Sequence, residues 1–243
     1  MKRLKAIYAT SIGKKFIAAI TGLVLFGFLI GHMAGNLKVF TGATADGVPH
    51  IDEYAHALKV FGEPFLPEMV ALWSARAILI VSLILHVVVV IQLSMQSAEA
   101  RPIGYARSRK RAASLPAQYM MYSGMLILAF VIFHVLHFTT GTIQLGKFEH
   151  GAVFSNLKES FSLLPVAAGY MLMMLVIGFH LFHGVWSLFQ TLGLDNPDRN
   201  KLLRGFAMVS TFVIAFGFAA VPAAFILGVI PDPVGYAAEV MQK

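Results

Sequence analysis

The chain has 243 residues, of which 58% are hydrophobic and 13% charged. Soluble domains average about 45–50% apolar and roughly 25% charged, so this composition belongs to an integral membrane protein. Cysteine is absent, which excludes disulfides, cysteine-ligated iron–sulfur clusters, thiolate haem ligation and CxxCH haem attachment, while the formal charge of +7 has to be read from where the basic residues fall.

A bilayer-spanning helix needs roughly 20 mostly apolar residues, and five stretches qualify: 16–37, 72–95, 119–141, 163–190 and 205–229. The first follows Lys2, Arg3, Lys5, Lys14 and Lys15, as a signal peptide would. Its apolar run is long and no small-x-small cleavage site closes it cleanly, so it is read as a retained helix. Gly27, Gly31 and Gly35 repeat every four residues beside His32, a ridge on which a flat ring or a second helix approaches closely. The connection 38–71 carries Pro49, Pro64 and Pro67, and within it residues 51–61 alternate at helical spacing, which predicts a short helix lying on the membrane surface. No internal repeat or low-complexity tract stands out; FHVLH around His134 and FHLFH around His180 are too few to establish a duplication. The fold expected is an all-α membrane protein, a single five-helix bundle over 1–243.

Loop charge orients the bundle. The N-terminus, the second–third connection (Arg101, Arg107, Arg109, Lys110, Arg111) and the fourth–fifth connection (Arg199, Lys201, Arg204) place thirteen basic residues on one side. The other side has Lys38, Lys59, Lys147, Lys158 and Lys243, and Arg76 lies just inside the second span. Acidic residues run the opposite way: only Glu99, Asp195 and Asp198 fall on the basic side. The N-terminus is therefore expected in the cytoplasm and the C-terminus outside. The run RSRKR is read as a positive-inside loop available to cytoplasmic partners or anionic lipid, not as a nucleic-acid site.

Six of the nine histidines, His32, His86, His134, His137, His180 and His183, fall inside the spans. Ionisable residues are costly in hydrocarbon and usually mark function. The first four spans hold no other charged residue except Arg76 near one end. A proton or ion path would mix carboxylates among these histidines, whereas neutral imidazoles alone suit a buried metal. At ~1.5 Å rise per residue, His32 and His134 both lie ~10 Å below the outer surface, and His86 and His180 both lie ~14 Å from the inner one. In a core about 30 Å thick these two matched pairs stand roughly 10 Å apart along the normal.

A bis-histidine haem takes one imidazole from each of two helices at one depth, so two pairs imply two haems b stacked as a path for electrons. With both axial positions filled, electron transfer is favoured over oxygen chemistry. Zinc fits poorly, because each pair supplies two ligands and not three or four. A lone membrane histidine is more often an interhelical hydrogen-bonding residue. That reading is preferred for His137 and His183, each three residues beyond a better-placed histidine, with ligation as the alternative should the span ends shift by a turn. Haem propionates need cations or donors near a surface; Lys14, Lys15, Lys201 and Arg204, with Ser11, Gln190 and Tyr122, are available, although each also serves as an interface anchor.

Taken together, SIGKKFIAAITG, FLIGHMAGNL around His32, LILHVVVV around His86, SGMLILAFVIFHVLHF around His134 and IGFHLFHGVWSLFQTLG around His180 resemble the membrane-anchor cytochrome b of succinate:quinone oxidoreductases, succinate dehydrogenase and fumarate reductase, in its single-subunit, five-helix, dihaem form. The resemblance covers about residues 11–230 and rests on the order and spacing of the segments. It implies that His32 and His134 ligate the haem distal to the catalytic subunits and His86 and His180 the proximal one. It further implies a non-catalytic, quinone-binding subunit of respiratory complex II in the cytoplasmic (inner) membrane. Such a subunit docks on an iron–sulfur protein that carries a flavoprotein with covalent FAD, and exchanges electrons with quinone, menaquinone foremost. The chain departs from some members in carrying Val176, Ile177, Gly178 and Phe179 where they have a glutamate before the fourth-helix histidine, which puts their transmembrane proton path in doubt. Glu53, Glu63, Glu68 and His56 are candidates for the outer-side polar group that some members associate with quinol chemistry. Two other readings stay open: a cytochrome b subunit of a hydrogenase or formate dehydrogenase, and a haem-free transporter or anchor. The chain itself holds no flavin fingerprint and no phosphate-binding glycine loop.

Overall fold

The computed structural model describes residues 8–100 and 119–233. Lys2, Arg3, Lys5, the basic segment 101–111 and Lys243 lie outside the described residues. Among the described residues seven α-helices follow in order: α1 Ser11–Asn36, α2 His50–Lys59, α3 Val70–Glu99, α4 Met120–Phe138, α5 Val153–Phe161, α6 Leu164–Thr191 and α7 Asn200–Ile226. A 3-10 turn, Leu37–Thr41, extends α1. The described residues contain no β-strand beyond one isolated bridge between Ala43 and Pro49.

Five of these helices, α1, α3, α4, α6 and α7, are long and apolar enough to cross a membrane. Their ends follow local chemistry. Thr10 caps α1, its Oγ1 accepting from Gly13 N at 3.0 Å. Pro165 occupies the first turn of α6, where its missing N–H costs nothing. Before α7, Asn196 Oδ1 accepts from Arg199 N at 2.9 Å and from Asp198 N at 3.1 Å. α1 and α7 each begin five residues before the apolar stretch does, because a helix continues into the polar interface where Lys14, Lys15, Lys201 and Arg204 sit, and hydropathy marks only the hydrocarbon.

The spanning helices touch in the sequence α3–α1–α6–α4, with α7 packed over α6 and α1. α3 has extended contact with α1 alone among the spanning helices, and α4 with α6 alone. Consecutive helices run antiparallel: Tyr8 Oη donates to Gln92 Oε1 at 2.9 Å, joining the start of α1 to the end of α3. Glycines set the close crossings, since a Cβ on Gly217 of α7 would meet Met33 Sδ of α1 at 2.5 Å.

The outer faces carry exposed Leu172, Phe179, Phe212 and Phe216, as helices bathed in lipid do. Two cores lie inside. One, at the end that holds Lys14 and Arg204 (the basic end), gathers Phe26, Val185, Ala207 and Ile214. The other, at the opposite end, gathers Val39, Ile51, Phe154, Leu157, Phe161, Ala167, Tyr170 and Val221. That second core is roofed by α2 and α5, and this end is called capped below. α2 matches the surface helix expected over 51–61. α5 was not expected; its Phe154, Leu157 and Phe161 recur at helical spacing, yet nine residues interrupted by Asn156, Lys158 and Glu159 fall below any span criterion.

Candidate functional site

At the capped end, His32 of α1 and His134 of α4 meet, with ring centroids 5.9 Å apart and planes at 75°. Packing holds both rings. Phe28 stacks on His32 at 5.2 Å and 10°, and Phe218 of α7 flanks it at 5.5 Å. Phe130, Phe138 and Tyr170 surround His134 at 5.7–6.0 Å. Hydrogen bonding contributes little. His134 Nδ1 is buried without a partner, and His32 Nε2 has only the Asn36 amide at 3.4 Å, whose better bond, 3.0 Å, goes to the His32 carbonyl.

At the basic end, His86 of α3 and His180 of α6 are held differently. His86 Nδ1 lies 3.1 Å from Ala18 O and 3.2 Å from Thr21 Oγ1, both on α1. The Thr21 hydroxyl donates its one proton to Ile17 O at 2.8 Å, so toward His86 it accepts. Nδ1 therefore carries the hydrogen and Nε2 keeps its lone pair. The same logic holds for His180: Ser123 Oγ of α4 donates to Met120 O at 3.0 Å and accepts from His180 Nδ1 at 3.0 Å. Each ring also rests on a glycine of that neighbouring helix. A Cβ on Gly22 would stand 3.3 Å from His86 Cε1, and one on Gly124 would stand 3.3 Å from His180 Cε1. His180 lies within Coulombic range of His86, as His134 does of His32.

The pairs occupy the diagonals of the helix arrangement. In the sequence α3–α1–α6–α4, His86 and His180 belong to α3 and α6, and His32 and His134 to α1 and α4; neither pair of helices has extended contact. His86 stands level with Thr21, eleven residues from His32, so the two levels differ by about 16 Å of helix rise. That replaces the shorter separation expected from span ends.

The donor set is consistent with a metal that brings its own equatorial ligands. Among the described residues no group of three or more His, Asp or Glu converges on one point, so each level offers two imidazoles and nothing more. His32 and His134, with ring centroids 5.9 Å apart, bring two imidazoles from different helices close enough to share one ion. The Nδ1–H bonds to a carbonyl and to hydroxyls at the other level are of the kind that orient metal-binding histidines. Gly27 and Gly31 face open space, whereas Gly35 packs against the Tyr54 ring of α2, so the glycine ridge divides between unfilled surface and helix contact.

His137 and His183 part company. His137 is 2% exposed, with Nδ1 2.8 Å from Tyr170 Oη and Nε2 3.0 Å from Ser160 Oγ, an interhelical hydrogen-bonding residue with both nitrogens engaged. His183 is half-buried, and its Nδ1 has no partner. Of the basic-end cations, Lys14 is buried, lies over the Tyr8 ring at 5.7 Å and has no carboxylate beside it among the described residues. Arg204 lies over the Trp186 ring at 5.1 Å, and the Trp186 indole N–H is itself buried and unpaired. Lys15, Lys201, Gln190, Ser11 and Tyr122 are exposed.

Glu53, Glu63, Glu68 and His56 are exposed at the capped end. Glu53 lines a surface groove with Lys38, His50 and Tyr54, and Glu68 lines another with Trp73. The carboxylate that the sequence did not single out is Asp52, whose Oδ1 accepts from Phe154 N at 2.8 Å and ties α2 to the first turn of α5. Burial pushes its carboxyl above the usual value, against the pull of the Phe154 and Val153 N–H groups.

No family model matches the chain, and no similar curated protein or solved structure was found.

Proposed function

We propose that the chain is a dihaem membrane cytochrome b that carries electrons between a cytoplasmic dehydrogenase module and membrane quinone, as the anchor subunit of a succinate:quinone oxidoreductase. The observation that carries this reading is the pair of diagonals: two sets of two imidazoles, on four helices, at two levels, with no carboxylate among them. His86 and His180 would hold one haem and His32 and His134 the other. When bound, haem supplies reversible one-electron exchange between ferric and ferrous iron.

The chain's own residues supply the rest. Nδ1–H bonds hold His86 and His180 with Nε2 free, and at the other level Phe28 and Phe130 wedge His32 and His134 in place. With two imidazoles holding each iron, the group would supply electron transfer in preference to oxygen chemistry. Lys14, buried with no counter-ion among the described residues, and Arg204 are the cations suited to propionates at the basic end. The identity of the dehydrogenase as an iron–sulfur protein with an FAD flavoprotein, and of the acceptor as menaquinone or another quinone, rests on the resemblance of the five sequence segments, as does placement in the cytoplasmic membrane.

Redox-titrated spectra of the purified chain, with pyridine haemochrome quantitation, test the reading. Two low-spin b haems per chain are expected. His86→Ala or His180→Ala should remove one, and His32→Ala or His134→Ala the other. One haem per chain, or none, overturns it.

A further inference from the structure

Two of the four helices on the histidine diagonals, α1 and α4, carry the same pattern once the hydroxyl contacts are known. Thr21, Gly22, Phe28, Ile30 and His32 of α1 correspond in order and spacing to Ser123, Gly124, Phe130, Ile132 and His134 of α4. In both, the hydroxyl residue precedes the histidine by eleven, which is about three turns and places the two on one helix face about 16 Å apart. In both, the phenylalanine one turn before the histidine lies against its ring, at 5.2 Å and 5.9 Å. In both, the hydroxyl accepts from Nδ1 of a histidine on the next spanning helix, and the glycine after it leaves room for that ring.

We propose that Thr21–Gly22 and Ser123–Gly124 are two copies of one ligand seat, positioning residues that hold His86 and His180 with Nδ1–H bonded and Nε2 turned to the iron of a single haem. Each of α1 and α4 then serves both levels, giving a ligand to one haem and a seat to a ligand of the other. This rests on the haem reading above and goes beyond it by assigning the hydroxyls and glycines.

The chemistry makes the two seats unequal. An acceptor on Nδ1–H makes an imidazole a stronger donor, which favours ferric iron. Among the described residues His180 has Ser123 Oγ as its one Nδ1 acceptor, whereas His86 has Ala18 O as well as Thr21 Oγ1. Removing the serine hydroxyl leaves Nδ1–H unpaired; removing the threonine hydroxyl leaves the carbonyl in place.

The test is a redox titration of the full chain in its native membrane complex, followed at the α-band and by low-temperature EPR of the low-spin ferric signals. Ser123→Ala should move one midpoint potential upward and shift one EPR signal, with the other haem unchanged. Thr21→Val should move the same haem in the same direction by less, and Ser123→Thr and Thr21→Ser should restore the parent values. Loss of one haem in Ser123→Ala, regained in Ser123→Thr, supports the seat equally. Two haems with unmoved potentials in both hydroxyl-free variants overturn it, and so do shifts that fall on different haems. A parent chain without haem overturns the underlying reading and this one with it, whereas two haems with unmoved potentials overturn this one alone.

Discussion

The two levels of the bundle position imidazoles by different physics. At the capped end His32 and His134 are wedged among Phe28, Phe130, Phe138, Phe218 and Tyr170, and neither ring has a short hydrogen bond to orient it. At the basic end His86 and His180 rest on glycines and are turned by Ala18 O, Thr21 and Ser123. The difference follows from what surrounds each level. α2 and α5 roof the capped end, so the chain has enough apolar mass there to fix a ring by packing. At the basic end directional bonds from α1 and α4 orient the two rings instead.

The contrast makes unlike predictions for like substitutions. A Cβ on Gly35, at the capped end, would stand 2.6 Å from Tyr54 Cε1 inside a packed contact. Gly35→Ala gains about 0.5–1 kcal/mol of helix propensity and loses more to overpacking, so a net loss of about 2 kcal/mol is expected. Thermal unfolding in detergent should show it as the largest drop among the capped-end changes. Gly22→Ala, at the basic end, brings its Cβ to 3.3 Å from one edge of a ring that can yield by a few tenths of an ångström. Its stability should stay near parent and, on the proposed haem reading, the spectrum of one haem should change. Equal losses of stability in the two variants would break the comparison.

Much of this frame is legible in the sequence, because bilayer thickness turns a one-dimensional string into depth. Five apolar stretches become five spanning helices, and histidines placed by helix rise fall into two levels. The ring-to-ring approach of His32 and His134 occurs between residues 102 apart in the chain that depth alone had put together. The seats were not legible. Thr–Gly and Ser–Gly are ordinary content for a membrane helix, and their eleven-residue spacing to a histidine has no meaning until the hydroxyl is seen on the neighbouring ring. α5 escaped because its apolar residues cover one face of a nine-residue helix, too short to compete with the spans around it. The separation of the levels came out too short because it was the remainder of an assumed core about 30 Å thick, whereas the contact of Thr21 with His86 counts the residues between the levels directly.

A smaller effect probes the capped end from its polar side. Tyr170 sits at the centre of that core, 6% exposed, with its hydroxyl 2.8 Å from His137 Nδ1. Tyr170→Phe keeps the ring and its aromatic contacts and leaves one buried nitrogen unpaired, while Ser160 still engages the other. A loss of about 1.5 kcal/mol is expected, within the range for an unsatisfied buried polar group. On the proposed haem reading, haem content and both potentials should stay at parent values if His137 is structural. A missing haem in Tyr170→Phe would transfer His137 to the ligand set and move the capped level by one turn.

The smallest effect concerns the roof itself, and its sign can be worked out. The Asp52 carboxyl accepts from Phe154 N, as a helix cap does, yet burial holds its pKa above the ordinary 3.8. A group whose pKa is raised on folding binds its proton more tightly in the native state. Its contribution is therefore fully present below pH 3.8, and is lost as pH rises from there through the raised native value. Asp52→Asn keeps the oxygen acceptor and removes the buried charge, so it should flatten this part of the pH profile and leave stability at neutral pH equal to the parent or slightly higher. Asp52→Ala removes the acceptor as well and should cost about 1 kcal/mol, the usual price of a lost cap. Unfolding of the three chains, measured at intervals from pH 4 to pH 8, separates the two roles. If Asp52→Asn is as damaging as Asp52→Ala at neutral pH, the ionised carboxylate holds the roof, the bond to Phe154 N outweighs burial, and the capped end depends on charge as the basic end does on hydroxyls.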